Sequence, residues 1–230
     1  MKNLNELEQK LNIIFTNKDL LTTAFLHRSY LNENSGINLP HNERLEFLGD
    51  AVLELVVTDY LYTTYMNKPE GELTAYRAAL VNTNTISDAA RKLGFEEYLL
   101  LSKGEAKDTG KARAYILANT FESFTGAVYL DQGYDSAKKF IYDYLLPELE
   151  NIIKHGLWRD AKSWVQEMSQ EHEGVTPSYK VLHESGPDHD KTFTVGIYFR
   201  DKKIAEGKGS SKQEAETAAA RNALEAKGWN

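Results

Sequence analysis

The stretch His41-Asn-Glu-Arg-Leu-Glu-Phe-Leu-Gly-Asp50-Ala-Val-Leu53 decides how the first two thirds of the chain are read. Leu45, Phe47, Leu48, Ala51, Val52, Leu53, Leu55 and Val56 leave little of this helix wettable, and a helix apolar nearly all round is normally buried. Yet Glu43, Glu46 and Asp50 fall at i, i+3 and i+7, which sets three carboxylates on one helical face. Ionised carboxylates without partners are very costly to bury. Such a face is therefore either an exposed, solvated stripe or a set of ligands for a cation. A second helix offers a matching face. In Ala114-Tyr-Ile-Leu-Ala-Asn119-Thr-Phe-Glu122-Ser-Phe-Thr-Gly126, Asn119 and Glu122 stand at i and i+3, though polar pairs at this spacing are common. Gly126 follows Glu122 by one turn and Gly49 adjoins Asp50, so small residues there would let the two helices approach closely. An all-oxygen donor set suits Mg²⁺ or Mn²⁺ rather than zinc. Two such ions roughly 4 Å apart are a common device for activating water and stabilising the leaving oxygen at a phosphodiester.

Working outward, residues 1–155 read as helical throughout. Leu4, Leu7 and Leu11 open with helical spacing, and Leu20, Leu21, Ala24 and Phe25 follow the capping residues Thr16 and Asn17. Helices are expected over Glu43–Met66, Leu73–Asn82, Ser87 to Gly94, Ala112–Leu130 and Ser136–Lys154, with residues 102–111 as a polar loop. Near His155-Gly-Leu-Trp-Arg-Asp160 the character changes. A helix over Ala161–His172 precedes three segments of period two, Ser178–Glu184, Thr192–Arg200 and Lys203–Ser210. A last helix runs over Lys212–Lys227, with Ser211 as N-cap and Ala218, Ala219 and Ala220 as a small packing face. The fold expected is an all-α domain over 1–155 followed by a small α+β domain, α-β-β-β-α, over 159–228.

Composition narrows the function. The chain has 230 residues, 41% of them hydrophobic, enough apolar surface to argue against disorder. It has no cysteine, which excludes disulfide scaffolds, thiolate zinc sites and cysteine nucleophiles. No apolar run approaches the ~20 residues of a membrane span, and Met1-Lys-Asn-Leu-Asn has no apolar core behind its lysine, so no secretory signal or membrane partner is expected and the cytoplasm is the expected compartment. The net charge of −7 is uneven: from Trp158 onward 11 Lys+Arg face 12 Asp+Glu, while residues 1–157 hold 16 against 22. The acid lies in the helical part.

His41–Asp50 resembles the defining motif of the ribonuclease III family. The likeness continues in Leu26-His-Arg-Ser, Glu70-Gly-Glu-Leu, Arg77-Ala-Ala-Leu-Val and Ile116-Leu-Ala-Asn-Thr-Phe-Glu with Gly126-Ala-Val-Tyr-Leu-Asp. It implies a homodimeric, all-α endonuclease domain that cuts double-stranded RNA by Mg²⁺-dependent hydrolysis. The ends would be 5′-phosphate and 3′-hydroxyl with 3′ overhangs, and the roles ribosomal RNA maturation and RNA turnover. Carried over residue by residue, Glu46, Asp50 and Glu122 match three metal-binding acids of the family. Glu46 and Glu122 would hold the ions directly, Asp50 directly or through water, with Asp50 and Glu122 as catalytic residues and Mn²⁺ as a substitute ion. The fourth match is Asn119, where the family usually has aspartate. Glu43 and Glu70 match accessory acidic positions. Arg44 is expected to pair with nearby carboxylates, and His27 and His41 to be satisfied structural histidines. The departure at Asn119 raises an alternative, a double-stranded RNA-binding protein whose nuclease domain is catalytically weakened.

The second domain resembles the double-stranded RNA-binding domain through Gly207-Lys-Gly209-Ser-Ser-Lys212-Gln-Glu-Ala-Glu-Thr-Ala-Ala-Ala. The resemblance implies that Gln166 and Glu167 reach one minor groove, that the loop carrying Pro187 and His189 enters the next, and that Ser211 and Lys212 meet the intervening phosphates. That arrangement reads A-form geometry over about 16 bp. Gln213 stands where a second lysine is common, so weaker electrostatics and a shallower salt dependence are expected. Trp164 and Phe193 are expected in the core.

Overall fold

The computed structural model describes residues 3–187 and 191–229. The chain divides into two compact units, Met1–Lys154 and His155–Asn230. The first unit is built of helices: α1 (Leu4–Leu11), α2 (Lys18–Ala24), α3 (Arg28–Glu33), α4 (Glu43–Thr64), α5 (Glu70–Leu80), α6 (Thr83–Leu93), α7 (Gly110–Gln132), α8 (Tyr134–Tyr144) and α9 (Pro147–Lys154). Short 3-10 turns lie at Phe95–Tyr98 and Glu105–Lys107. Among the described residues no helix is long and apolar enough to cross a membrane.

Several boundaries differ from those expected, each for a local reason. The helix expected over 136–154 is two helices, because Pro147 lacks an N–H and disfavours helical geometry in the residue before it. Helix α6 begins at Thr83, ahead of Ser87, because the Asn82 side chain accepts from the Thr85 N–H at 3.0 Å. Helix α3 was not expected at all. Its N-cap is His27, whose ring nitrogen accepts from the Ser29 N–H, so this histidine has a structural job.

Helix α7 is the axis of the unit. Phe121 and Phe124 are fully buried and meet Phe95, Phe140, Phe15 and Phe25 edge-on or tilted, with centroids 5.0 Å apart for Phe121–Phe140 and 5.1 Å for Phe95–Phe124. The contact between α4 and α7 is set by two glycines. A Cβ on Gly49 would lie 1.7 Å from the Glu122 carbonyl oxygen, and one on Gly126 would lie 2.3 Å from that of Leu45. The backbones touch, as the placement of small residues implied.

The helix bearing the decisive motif is not buried all round. Leu45, Val52, Leu53, Val56, Val57 and Leu61 are buried, but Phe47 is 80% exposed, Leu55 58% and Tyr62 73%. With Ala51 these form an apolar stripe along α4, open in the single chain, and Met66 just past the helix end is also exposed.

The second unit comprises α10 (Ala161–Glu173), β1 (Pro177–Ser185), β2 (Thr192–Phe199), β3 (Lys202–Gly209) and α11 (Lys212–Lys227). The strands form one antiparallel sheet in the order β1-β2-β3. Its core joins Val165 of α10, Ile197 and Phe199 of β2, and Ala219, Ala220, Ala223 and Leu224 of α11, with Trp164 packed against it. Ala218 is only half-buried; the packing face is Ala215, Ala219, Ala220 and Ala223. Gly207 and Gly209 belong to this packing, since a Cβ on either would lie 2.1–2.6 Å from α11 atoms.

Gly49→Ala should cost about 3 kcal/mol or more, because the added methyl meets backbone that cannot move aside without separating α4 from α7. Gly36→Ala, with open space around it, should change stability by no more than about 0.5 kcal/mol. Thermal unfolding of both full-length variants decides the point, and equal melting temperatures would mean the helices are not held by this contact.

Candidate active site

The glycine contact sets the geometry of the acids. Asp50 follows Gly49, and Glu46 lies one turn before it on α4. The Glu122 carbonyl abuts Gly49, and Asn119 lies one turn before Glu122 on α7. The structure thus brings Glu46, Asp50, Asn119 and Glu122 together. Glu122, half-buried, is pushed up to about 8, first by burial and then by the charges of Asp50 and Glu46. Glu46 is also raised, by burial and by its neighbours Glu43 and Asp50, against a hydrogen bond from Asn119 that favours its ionised form. Among the described residues no lysine or arginine offsets either shift.

The two accessory acids stand elsewhere. Glu43 is turned toward Arg28, 3.3 Å away, and His41, 3.7 Å away, and reaches the cluster only through its charge on Glu46. Among the described residues the His41 Nδ1 has no hydrogen-bond partner and only the Glu43 carboxylate at 3.7 Å beside it, short of the expected satisfied ring. Arg44 is exposed and makes no ion pair among the described residues, so its expected pairing is not found. Glu70 opens α5, accepts from the Thr74 hydroxyl at 2.9 Å, and lines a cleft of about 440 Å³ with Thr58, Tyr62 and Arg77. It contributes to neither raised pKa in the cluster.

The donor set is all oxygen apart from the Asn119 nitrogen, and it concentrates like charge where burial penalises it. Those are the conditions a hard divalent cation relieves, so the residues fit such an ion. Among the described residues no three acidic or histidine side chains already stand close enough to enclose one unaided.

In the second unit Gln166 and Glu167 are exposed on α10, and Pro187 is exposed just after β1. His189 lies outside the described residues. The Ser211 hydroxyl accepts from the Glu214 N–H at 3.2 Å and caps α11. Lys212 is exposed at that helix start, but its charge is not open as the sequence implied: its ammonium lies 3.4 Å from the Glu184 carboxylate. Phe193 is half-buried beneath the same ammonium. Sequence reasoning missed two features, Glu184 and the bare stripe on α4. The second had a signal, since α4 carries more apolar residues than one chain's core can cover.

Residues 17–149 match the family described as Ribonuclease-III-like, and residues 161–227 the double-stranded RNA binding motif. The chain is 46% identical to Ribonuclease 3 of Streptococcus thermophilus over 96% of this chain and 98% of that one. It is 44% identical to Ribonuclease 3 of Enterococcus faecalis over 95% of each. Among solved structures, the nuclease domain of ribonuclease III from Campylobacter jejuni superimposes with a TM-score of 0.57 at 38% identity, over 62% of this chain and 96% of that one.

Raising the pKa of Glu122 has a consequence for stability without metal. The folded chain favours the protonated carboxyl up to about pH 8, whereas the unfolded chain ionises near 4.5. Between those values the unfolded chain binds fewer protons, so this group's contribution to stability falls as pH rises. In EDTA, Glu122→Gln should melt about 3 °C or more above the parent at pH 8, with the gap closing toward about pH 5. A variant that melts at or below the parent at pH 8 would show that Glu122 is not a destabilising charge.

Proposed function

This chain belongs to the ribonuclease III family, and on that premise we propose that it cleaves double-stranded RNA by divalent-metal-dependent hydrolysis through Glu46, Asp50, Asn119 and Glu122. The observation that carries this reading is the meeting of α4 and α7 at Gly49 and Gly126, which gathers those four side chains in one place. Residues 1–155 act as the nuclease and residues 159–228 as the reader of duplex shape.

Mg²⁺ is the ion that suits this set, with Mn²⁺ as a substitute. Once bound, it supplies Lewis-acid activation of water and stabilisation of the leaving 3′ oxygen. The chain's own residues prepare the place. Glu46 and Glu122 would hold the ion directly and Asp50 directly or through water. Asn119 offers an uncharged amide oxygen while its N–H₂ group orients Glu46. Packing of α4 on α7 keeps Glu122 half-buried, so its carboxylate is poorly compensated until a cation arrives. The products are 5′-phosphate and 3′-hydroxyl ends with 3′ overhangs. On this reading the chain's roles are ribosomal RNA maturation and RNA turnover, in the cytoplasm. A binding protein with a weakened nuclease domain is not favoured, because Glu46, Asp50 and Glu122 are all retained in one cluster.

The exposed stripe Phe47, Ala51, Leu55 and Tyr62, with Met66 just past the helix end, supports a homodimer through the nuclease domain. A second copy laid along α4 would cover apolar surface that a lone chain leaves in water. Two sites would then face one duplex, one for each strand.

The direct test is to incubate the protein with a perfect RNA duplex, with Mg²⁺ and then with EDTA, and inspect the ends. Cutting in both conditions, or in neither, would overturn the mechanism. In the same assay Asn119→Asp should raise the initial rate at limiting Mg²⁺, because a carboxylate holds a hard cation better than an amide oxygen. Superimposable Mg²⁺ curves would show that position 119 does not limit ion binding.

Leu55→Glu should convert the dimer to a monomer without loss of fold, since this side chain contributes little to the protomer core. Sedimentation of the variant as a dimer would remove the α4 stripe from the interface.

A further inference from the structure

The sheet register of the second unit places a carboxylate on the lysine that opens α11. Glu184 of β1 is the partner of Phe193 on β2, and Phe193 is the partner of Gly209 on β3. Residues paired directly across antiparallel strands point to the same face. Here it is the face that carries the helices, since Phe193 has the parity of Val195, Ile197 and Phe199, all buried. Gly209 lets the start of α11 press onto this row, because a Cβ there would lie 2.6 Å from the Ala215 nitrogen. Lys212, three residues on, comes to rest with its ammonium 5.7 Å from the Phe193 ring centre and 3.4 Å from Glu184.

Glu184 stands there because of a bulge. Val181 pairs with Val195 and His183 with Thr194, so Leu182 is the extra residue on β1. In a regular ladder His183 would face Phe193. The bulge re-aims the strand by one residue and delivers Glu184 instead. A second carboxylate guards the same corner, where Glu214 accepts from both the N–H and the hydroxyl of Ser210, at 3.0 and 2.8 Å.

We infer that Glu184 is an internal competitor for the phosphate contact of Lys212, so that its carboxylate sets how weakly this domain holds duplex RNA. A phosphate arriving at Lys212 displaces Glu184 or accepts its repulsion, and the ammonium releases fewer counterions because it is already paired. Both effects lower affinity, and the second flattens the salt dependence. The inference rests on the reading of Lys212 as a phosphate contact.

The test measures binding of the full chain to an RNA duplex in EDTA, which prevents cutting, across a series of salt concentrations. Glu184→Gln should bind about two- to fivefold more tightly at low salt, the range expected for an exposed pair. Its slope of log affinity against log salt should be steeper by about one. In a Lys212→Met background the same substitution should bring no more than a marginal gain. Unchanged or weaker binding by Glu184→Gln, while Lys212→Met alone loses affinity, would overturn the inference and leave the phosphate contact standing. An equal gain in both backgrounds would also overturn it, as an effect of net charge alone. If Lys212→Met costs nothing, the phosphate contact itself fails and the inference with it.

Discussion

The nuclease unit depends on one contact, the backbone-to-backbone approach of α4 and α7 at Gly49 and Gly126. Elsewhere side chains keep packed helices 8–10 Å apart. Here the missing methyls let the Glu122 carbonyl sit where a Cβ on Gly49 would be. Everything polar in the site is within a turn or so of that point: Asp50 beside Gly49, Glu46 one turn back, Glu122 and Asn119 on the facing helix. A looser contact would leave the same residues present but spread apart and Glu122 less buried, and burial is the first cause of its raised pKa.

The two units handle charge in opposite ways. In the nuclease unit acids are gathered with no lysine or arginine among the causes of their shifts, and the cost is carried in the raised pKa of Glu122 and Glu46. In the second unit the basic corner is satisfied before any ligand arrives, by Glu184 at Lys212 and Glu214 at Ser210. An uncompensated site binds its counter-charge avidly. A self-paired one binds weakly and exchanges. That difference suits an enzyme that must draw in a divalent ion but release its duplex.

The gathering of the acids was legible in the sequence because its information is local, although spacing alone left a solvated stripe as the other reading. Spacing of i+3 and i+7 on a helix fixes a face, and two glycines beside two acid sets imply the crossing. The β-β-β-α order was legible for the same reason, through period two and the Ser211 cap. What was not legible depends on relations between distant residues. The pairing of Glu184 with Lys212 follows from a one-residue bulge in β1, and no propensity marks where a ladder slips. The bareness of Phe47 and Leu55 follows from how many apolar positions α4 offers against how much core one chain provides. Helix α3 escaped because its cap is a histidine, a residue seldom read as one. The split of α8 from α9 should have been read from Pro147.

Asn119 ties the energetics of the empty site to those of the filled one. With aspartate at this position, a fourth carboxylate would join Glu46, Asp50 and Glu122, where Glu46 and Glu122 are already raised, and the metal-free fold would carry a larger electrostatic penalty. Asparagine removes that charge and adds a donor, which Glu46 accepts. The empty site is therefore easier to fold. If these residues hold divalent ions as proposed, the same change would weaken the attraction for them, since three carboxylates would balance up to four positive charges until a phosphate supplied the last negative one. Stability of the empty site and affinity for the ion are thus opposed at one position. On the proposed reading, a chain with asparagine there would lean on its substrate to complete the ion's charge balance, which would couple loading of the metal to the presence of RNA.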